Sequence, residues 1–160
     1  MSGFADRAEG GRRLVPALRE LADDMRTPLV LAILPHGVPV AAPLADALEL
    51  PLLGVSLERE GEPRVIEMPD VSGRDVIVVD DGVETGTAAR LVGAAAREAG
   101  VGRLVLAVPV CPRQAESGLR PLYDDVVAID RPLARRDLRW HYTDFDTIDE
   151  AEARRRLDAR

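Results

Sequence analysis

Val76-Ile77-Val78-Val79-Asp80-Asp81-Gly82-Val83-Glu84-Thr85-Gly86-Thr87-Ala88 runs from an apolar segment through an acidic pair into a loop of glycine and threonine. Four β-branched residues in succession make Val76 to Val79 the most strand-like part of the chain. Two adjacent acids at the end of a buried strand are costly unless they meet ligand hydroxyls, a metal or water. A Gly/Thr loop at a helix N-terminus offers free backbone N–H groups and hydroxyls, and the helix dipole adds attraction for an anion. Carboxylates beside such a cup suit a sugar phosphate. The plainer reading makes Asp81 a helix cap and Thr85 the first helical residue. The full order of strand, two acids and Thr-Gly favours the ligand site.

Outward from this stretch, strands alternate with helices. Apolar positions at helical spacing predict a helix over Arg12 to Met25, ended by Thr27-Pro28. Leu29 to Leu34 reads as a buried strand, Pro35-His36-Gly37 as a turn and Val40 to Leu48 as a helix. Leu52 to Leu57 is a second strand, and Arg64 to Glu67 a short antiparallel return after the turn at Glu60 to Pro63. Thr85 to Ala99 is an Ala-rich helix with Gly100 as its C-terminal cap. Leu104 to Val110 and Val126 to Ile129 are strands, with short helices over Gln114 to Leu122 and Asp149 to Leu157. Such alternation implies βαβ units and an α/β fold with a mostly parallel sheet. Ligands bind such sheets at the carboxyl ends of the strands, which points to Pro35 to Gly37 and to the turn after Val79.

The composition narrows the partners. The 160 residues fit one domain, 1–160. Net charge is −7, which argues against nonspecific nucleic-acid binding. No apolar run reaches the length of a membrane helix, and no signal-peptide pattern opens the chain, so a cytoplasmic protein without membrane contact is expected. Cys111 is the single cysteine, which rules out an intrachain disulfide. Lysine is absent, so any fixed cation in a site must be an arginine.

Val76 to Thr87 resembles the phosphoribosyl-pyrophosphate (PRPP) signature of type I phosphoribosyltransferases. Phe4-Ala5-Asp6-Arg7 with Gly11-Arg12-Arg13-Leu14, Pro35 to Ala41, and Trp140 to Phe145 resemble other parts of bacterial proteins carrying this domain. The resemblance implies a Rossmann-like, three-layer type I phosphoribosyltransferase fold of about five strands with a small C-terminal hood. It implies transfer of ribose 5-phosphate from PRPP to a nucleobase, purine type favoured, with release of pyrophosphate. Asp80 and Asp81 would hold the ribose hydroxyls, directly or through water on Mg²⁺. Gly82, Val83, Thr85, Gly86, Thr87 and Ala88 would hold the ribose and its 5′-phosphate. Glu84 stands where an acid can take the nucleobase proton, or else is a loop acid favoured by the helix dipole. The other reading of the whole is a regulatory protein that binds PRPP or a nucleoside monophosphate without turnover. A dinucleotide binder is disfavoured, because no Gly-x-Gly-x-x-Gly follows a strand.

Three departures from the family pattern bear on turnover. Ala88 replaces the last hydroxyl of the usual Thr-Gly-x-Thr. The pyrophosphate loop is Leu34-Pro35-His36-Gly37 in place of Pro-Arg-Gly-Gly, and either Pro35 or His36 occupies the basic position. A cis peptide is expected before Pro35 or before His36, the former being less costly. The mobile catalytic loop is reduced to the hairpin at Glu60 to Pro63. There, Arg59 and Arg64 either reach a diphosphate or, as their neighbours favour, pair with Glu58, Glu60 and Glu62.

At the base end, Trp140 is the candidate to stack on the base, with Tyr142 beside it. Alternatively these two and Phe145 anchor the tail on the core. Arg135, Arg136 and Arg139 read as a solvated face or a contact of a homodimer.

Overall fold

The computed structural model describes residues 3–160. Helix α1 (Arg7–Asp23) leads into β1 (Leu29–Ile33), α2 (Val38–Leu48), β2 (Leu52–Glu58) and β3 (Arg64–Glu67). Next come β4 (Val76–Val79), α3 (Thr87–Glu98), β5 (Leu104–Val110), α4 (Arg113–Leu119) and β6 (Asp125–Asp130). A 3-10 turn over Leu138–His141 and α5 (Glu150–Asp158) complete the chain. The sheet order is β3-β2-β1-β4-β5-β6: five parallel strands, with the short antiparallel β3 expected from the sequence on the edge. All other pairs are parallel.

Every residue of β1, β4 and β5 is buried, as central parallel strands require. Their side chains alternate between two cores. Leu29, Leu31, Val76, Val78, Leu104 and Leu106 pack with Ala89, Val92 and Ala96 of α3 and Leu119 of α4. Val30, Ala32, Ile77, Val79, Val105 and Ala107 pack with α1, α2 and α5 on the other face. Each fully buried Val or Ile contributes about 1.5–3 kcal/mol, so the central strand is a rigid base for the loop that follows it.

The helix starts differ from the sequence expectation by one to five residues, and two of the differences bear on the site: those of α1 and α3. Helix α1 begins at Arg7 rather than Arg12, capped by Asp6, whose Oδ1 accepts from the Glu9 amide at 2.8 Å. Gly10 and Gly11, which weaken the helical pattern, are placed by packing. A Cβ on Gly11 would come 2.1 Å from the Val40 carbonyl, and one on Gly10 2.7 Å from Pro109. Helix α3 begins at Thr87 rather than Thr85, because Gly86 takes a left-handed conformation (φ 88°) that ends the loop. Helix α4 ends at Leu119, short of the expected Leu122.

The C-terminal segment folds back over the strand ends as a hood. It is tied to the N-terminus through Phe4, whose amide donates to the His141 carbonyl and whose carbonyl accepts from Thr143, both at 2.9 Å. Phe4, Val110 and Tyr142 make a small third core beneath it.

Candidate functional site

The carboxyl ends of β1 and β4, the hairpin and the hood enclose a cavity of about 520 Å³, within the range of small-molecule sites. His36, Arg59, Asp80, Asp81 and every residue from Gly82 to Ala89 line it, together with Leu138 and Phe145 of the hood. Residues expected from sequence at opposite ends of the chain therefore meet at one place.

Asp80 ends β4 half-buried, and its Oδ1 accepts from the Asp81 amide at 2.8 Å. Burial and the neighbouring Asp81 push its carboxyl well above the usual carboxylate range. Asp81 is buried and meets a guanidinium: Arg7 Nε lies 3.1 Å from Asp81 Oδ2, with both side chains 5% exposed. Burial also raises the Asp81 carboxyl, against the pull of His36 and Arg7. The Asp81 carbonyl accepts from the Tyr142 hydroxyl at 2.6 Å, which fixes the backbone between the two acids and the loop.

The loop then turns at Gly86 into α3, whose first turn carries neither an acidic residue nor a side-chain cap. Apart from a long contact from the Thr87 amide to Thr85 Oγ1 at 3.5 Å, this start leaves its backbone donors free for an anion. Thr85 and Thr87 present their hydroxyls to one another at 3.1 Å beside it. Arg90 braces the same turn, donating to the Thr85 carbonyl at 3.0 Å and to Thr87 Oγ1 at 3.3 Å. Ala88 adds a methyl where the family pattern has a hydroxyl.

At the β1 end, the Leu34–Pro35 peptide is cis. Gly37 is confined between strands: a Cβ there would lie 2.6 Å from the Val79 carbonyl and 2.7 Å from that of Ile33. His36 faces the cavity, and burial lowers its pKa against the attraction of Asp81. Arg59 turns inward and donates to the Leu34 carbonyl at 3.2 Å, rather than pairing along its hairpin. Arg64 lies on the exposed edge strand and does not line the cavity, so the structure does not bring it to the site.

The hood corrects the expectation for the base end. Trp140 is 53% exposed, lies under Arg136 and does not line the cavity. Tyr142 is buried between Phe4 and Phe145 as an anchor. The aromatic side chain of the lining is Phe145. Leu138 lies over Gly82 so closely that a Cβ on that glycine would come 2.3 Å from it. The Leu138 amide donates to Glu84 Oε1 at 3.1 Å, so Glu84 sits against the hood with its second oxygen available.

Sequence reasoning missed Arg7 and Arg90 as site residues. The signal for Arg7 was available in part: a buried acid needs a countercharge, and in a chain without lysine that countercharge is an arginine. Among the described residues no cluster of three or more His, Cys, Asp or Glu could hold a metal by protein ligands alone. Two neighbouring carboxylates would instead hold a magnesium ion through the waters it keeps. No helix among the described residues is long and apolar enough to cross a membrane.

Residues 8–142 match the family model described as the phosphoribosyl transferase domain. Two Mycobacterium tuberculosis proteins with a provisional phosphoribosyl transferase name are 27% identical over 184 residues, covering 82% of this chain and 41% of theirs. The chain thus spans less than half the length of the curated relatives it matches. Among solved structures, the TT1426 protein of Thermus thermophilus is similar at a TM-score of 0.85 and 24% identity, covering 97% of both chains. A Neisseria gonorrhoeae protein with bound ppGpp is similar at a TM-score of 0.68 and 19% identity, covering 96% of this chain and 92% of that one. At these identities the likeness establishes the fold.

Proposed function

The chain belongs to the phosphoribosyl transferase domain family, and on that premise we propose that it transfers ribose 5-phosphate from PRPP to a nucleobase nitrogen, releasing pyrophosphate. The observation that carries this reading is the acid pair just after β4 and the start of α3, without an N-cap side chain, facing one cavity. The amides at the start of α3, with the Thr85 and Thr87 hydroxyls, receive the 5′-phosphate. Asp80 and Asp81 accept from the ribose 2′ and 3′ hydroxyls. His36 and Arg59 face the diphosphate as donors. A magnesium ion bound with PRPP would offset charge developing on the leaving diphosphate.

In the reaction the C1′–oxygen bond to diphosphate breaks as the base nitrogen bonds C1′, and the nitrogen's proton must leave. Glu84 is the acceptor within reach of the base side, and its hydrogen bond to Leu138 fixes its direction. Phe145 and Leu138 give the base an apolar wall. An acid at this place resembles the purine-type enzymes of the family, and a purine is on that resemblance the favoured base.

A regulatory protein that binds a nucleotide without turnover is the second reading. Ala88, the short hairpin and the engagement of Arg59 with Leu34 favour it, as does the ppGpp held by the structurally similar Neisseria gonorrhoeae protein. Calorimetry with PRPP and Mg²⁺, followed by a purine and pyrimidine panel assayed for pyrophosphate, separates the two. Binding with release supports the transferase, binding without release the regulator, and no binding of PRPP or any nucleoside monophosphate refutes both.

A further inference from the structure

Arg7 is the first residue of α1, where a cation opposes the helix dipole. It is nevertheless 5% exposed, so its surroundings more than offset an unfavourable position. Three contacts account for it. Its Nε meets Asp81 Oδ2 at 3.1 Å, its Nη1 donates to the Asp146 carbonyl, and its guanidinium carbon lies 3.9 Å from the centre of the Phe145 ring. Asp81 and Phe145 both line the cavity, whereas Arg7 does not. One planar cation behind the wall thus touches the acid at the sugar side and the aromatic ring at the base side.

We propose that Arg7 is a positioning residue that couples the two halves of the site, holding Asp81 toward the ribose and seating Phe145 as the platform for the base. This rests on the function proposed above. The two tasks need different properties of the side chain. Holding Asp81 needs a charge and one donor. Seating Phe145 needs the flat guanidinium against the ring and the second donor that pins Asp146 beside it. A lysine supplies the first and not the second.

The residue therefore makes a prediction that a purely structural ion pair does not. Binding of ribose 5-phosphate reads the sugar half, and the ratio of its dissociation constant to that of GMP or AMP reads what the base adds. In Arg7→Lys the dissociation constant for ribose 5-phosphate stays within about twofold of wild type while the base's contribution falls about fivefold or more. In Arg7→Met both are lost, because buried Asp81 loses its only guanidinium contact among the described residues and the ring loses its flat neighbour. Phe145→Leu leaves the ion pair in place and reproduces the lysine pattern, and it decides the question if the Arg7 variants fail to fold by near-ultraviolet circular dichroism.

The coupling is overturned if Arg7→Lys keeps the full base contribution, if it loses both halves in parallel, or if Phe145→Leu binds GMP and AMP as wild type does. A wild-type protein that binds ribose 5-phosphate and neither nucleotide more tightly overturns the platform while leaving the sugar-phosphate site standing. A wild-type protein that binds none of the three overturns the proposed function and this inference with it.

Discussion

Replacing Asp80 by Asn tests whether the acidic pair exists for a ligand or for the fold. The Asp80 carboxyl is pushed well up by burial and by Asp81, so the folded chain holds this proton more tightly than the unfolded chain does. The stabilisation due to that proton is complete below the unfolded value and is lost as pH rises through the folded one. Above that range, ionised Asp80 opposes folding. Its hydrogen bond from the Asp81 amide at 2.8 Å needs only an acceptor oxygen, which an asparagine retains. Neutralising the group therefore removes a repulsion and no bond. Gains from relieving such a group are about 0.5–2 kcal/mol, so the unligated variant should melt about 1–8 °C above wild type at pH 8. The gain should vanish near about pH 3, where Asp80 carries its proton in the folded and the unfolded chain alike. Ribose 5-phosphate affinity should fall about tenfold or more, the worth of a charged acceptor to a hydroxyl. Differential scanning calorimetry at both pH values and titration calorimetry give the two numbers. A variant that melts lower than wild type at pH 8, or binds ribose 5-phosphate unchanged, refutes the reasoning.

Other substitutions separate chemistry from architecture. Glu84→Gln keeps an oxygen for the Leu138 amide and removes the proton acceptor, so turnover should drop about 10²–10⁴-fold with PRPP affinity unchanged; a steady-state and binding comparison checks it. Gly37→Ala drives a methyl into the Val79 and Ile33 backbones, neither of which can yield, and should cost about 1–3 kcal/mol or more in urea unfolding together with ligand binding. Asp75→Ala strips an acceptor from the Arg26 and Arg103 amides, 2.6 and 2.7 Å away at the opposite ends of the strands. It should lower stability by about 1–3 kcal/mol and leave ribose 5-phosphate binding intact.

The sheet was legible because each central strand is an uninterrupted apolar run, and burial on both faces requires that pattern. The loop after β4 was legible because residue type and order coincide there: only a strand end, two acids and a glycine–threonine turn produce the sequence from Val76 to Ala88. Helix α1 was read five residues short because Gly10 and Gly11 mimic a loop. Their reason for being glycine is the Val40 backbone and Pro109, which no local pattern records.

The base end shows where sequence reasoning stops. Trp140 attracts attention as the single tryptophan, yet its position on the hood's outer surface leaves the cavity to Phe145. The Phe145 ring packs against Arg7, with Arg139 and Tyr142 also beside it, and Arg7 stands 74 positions from Asp81 along the chain at a helix start that local rules reserve for acids. The absence of lysine requires an arginine behind the buried acid, but the chain has 21 of them and nothing local distinguishes this one. Only the fold, by bringing the start of α1 under the hood, makes one guanidinium answer both the acid and the ring. The half of the site proposed for the sugar can therefore be read from a single stretch of chain, whereas the half proposed for the base is assembled from three distant segments: α1, the loop after β4 and the hood.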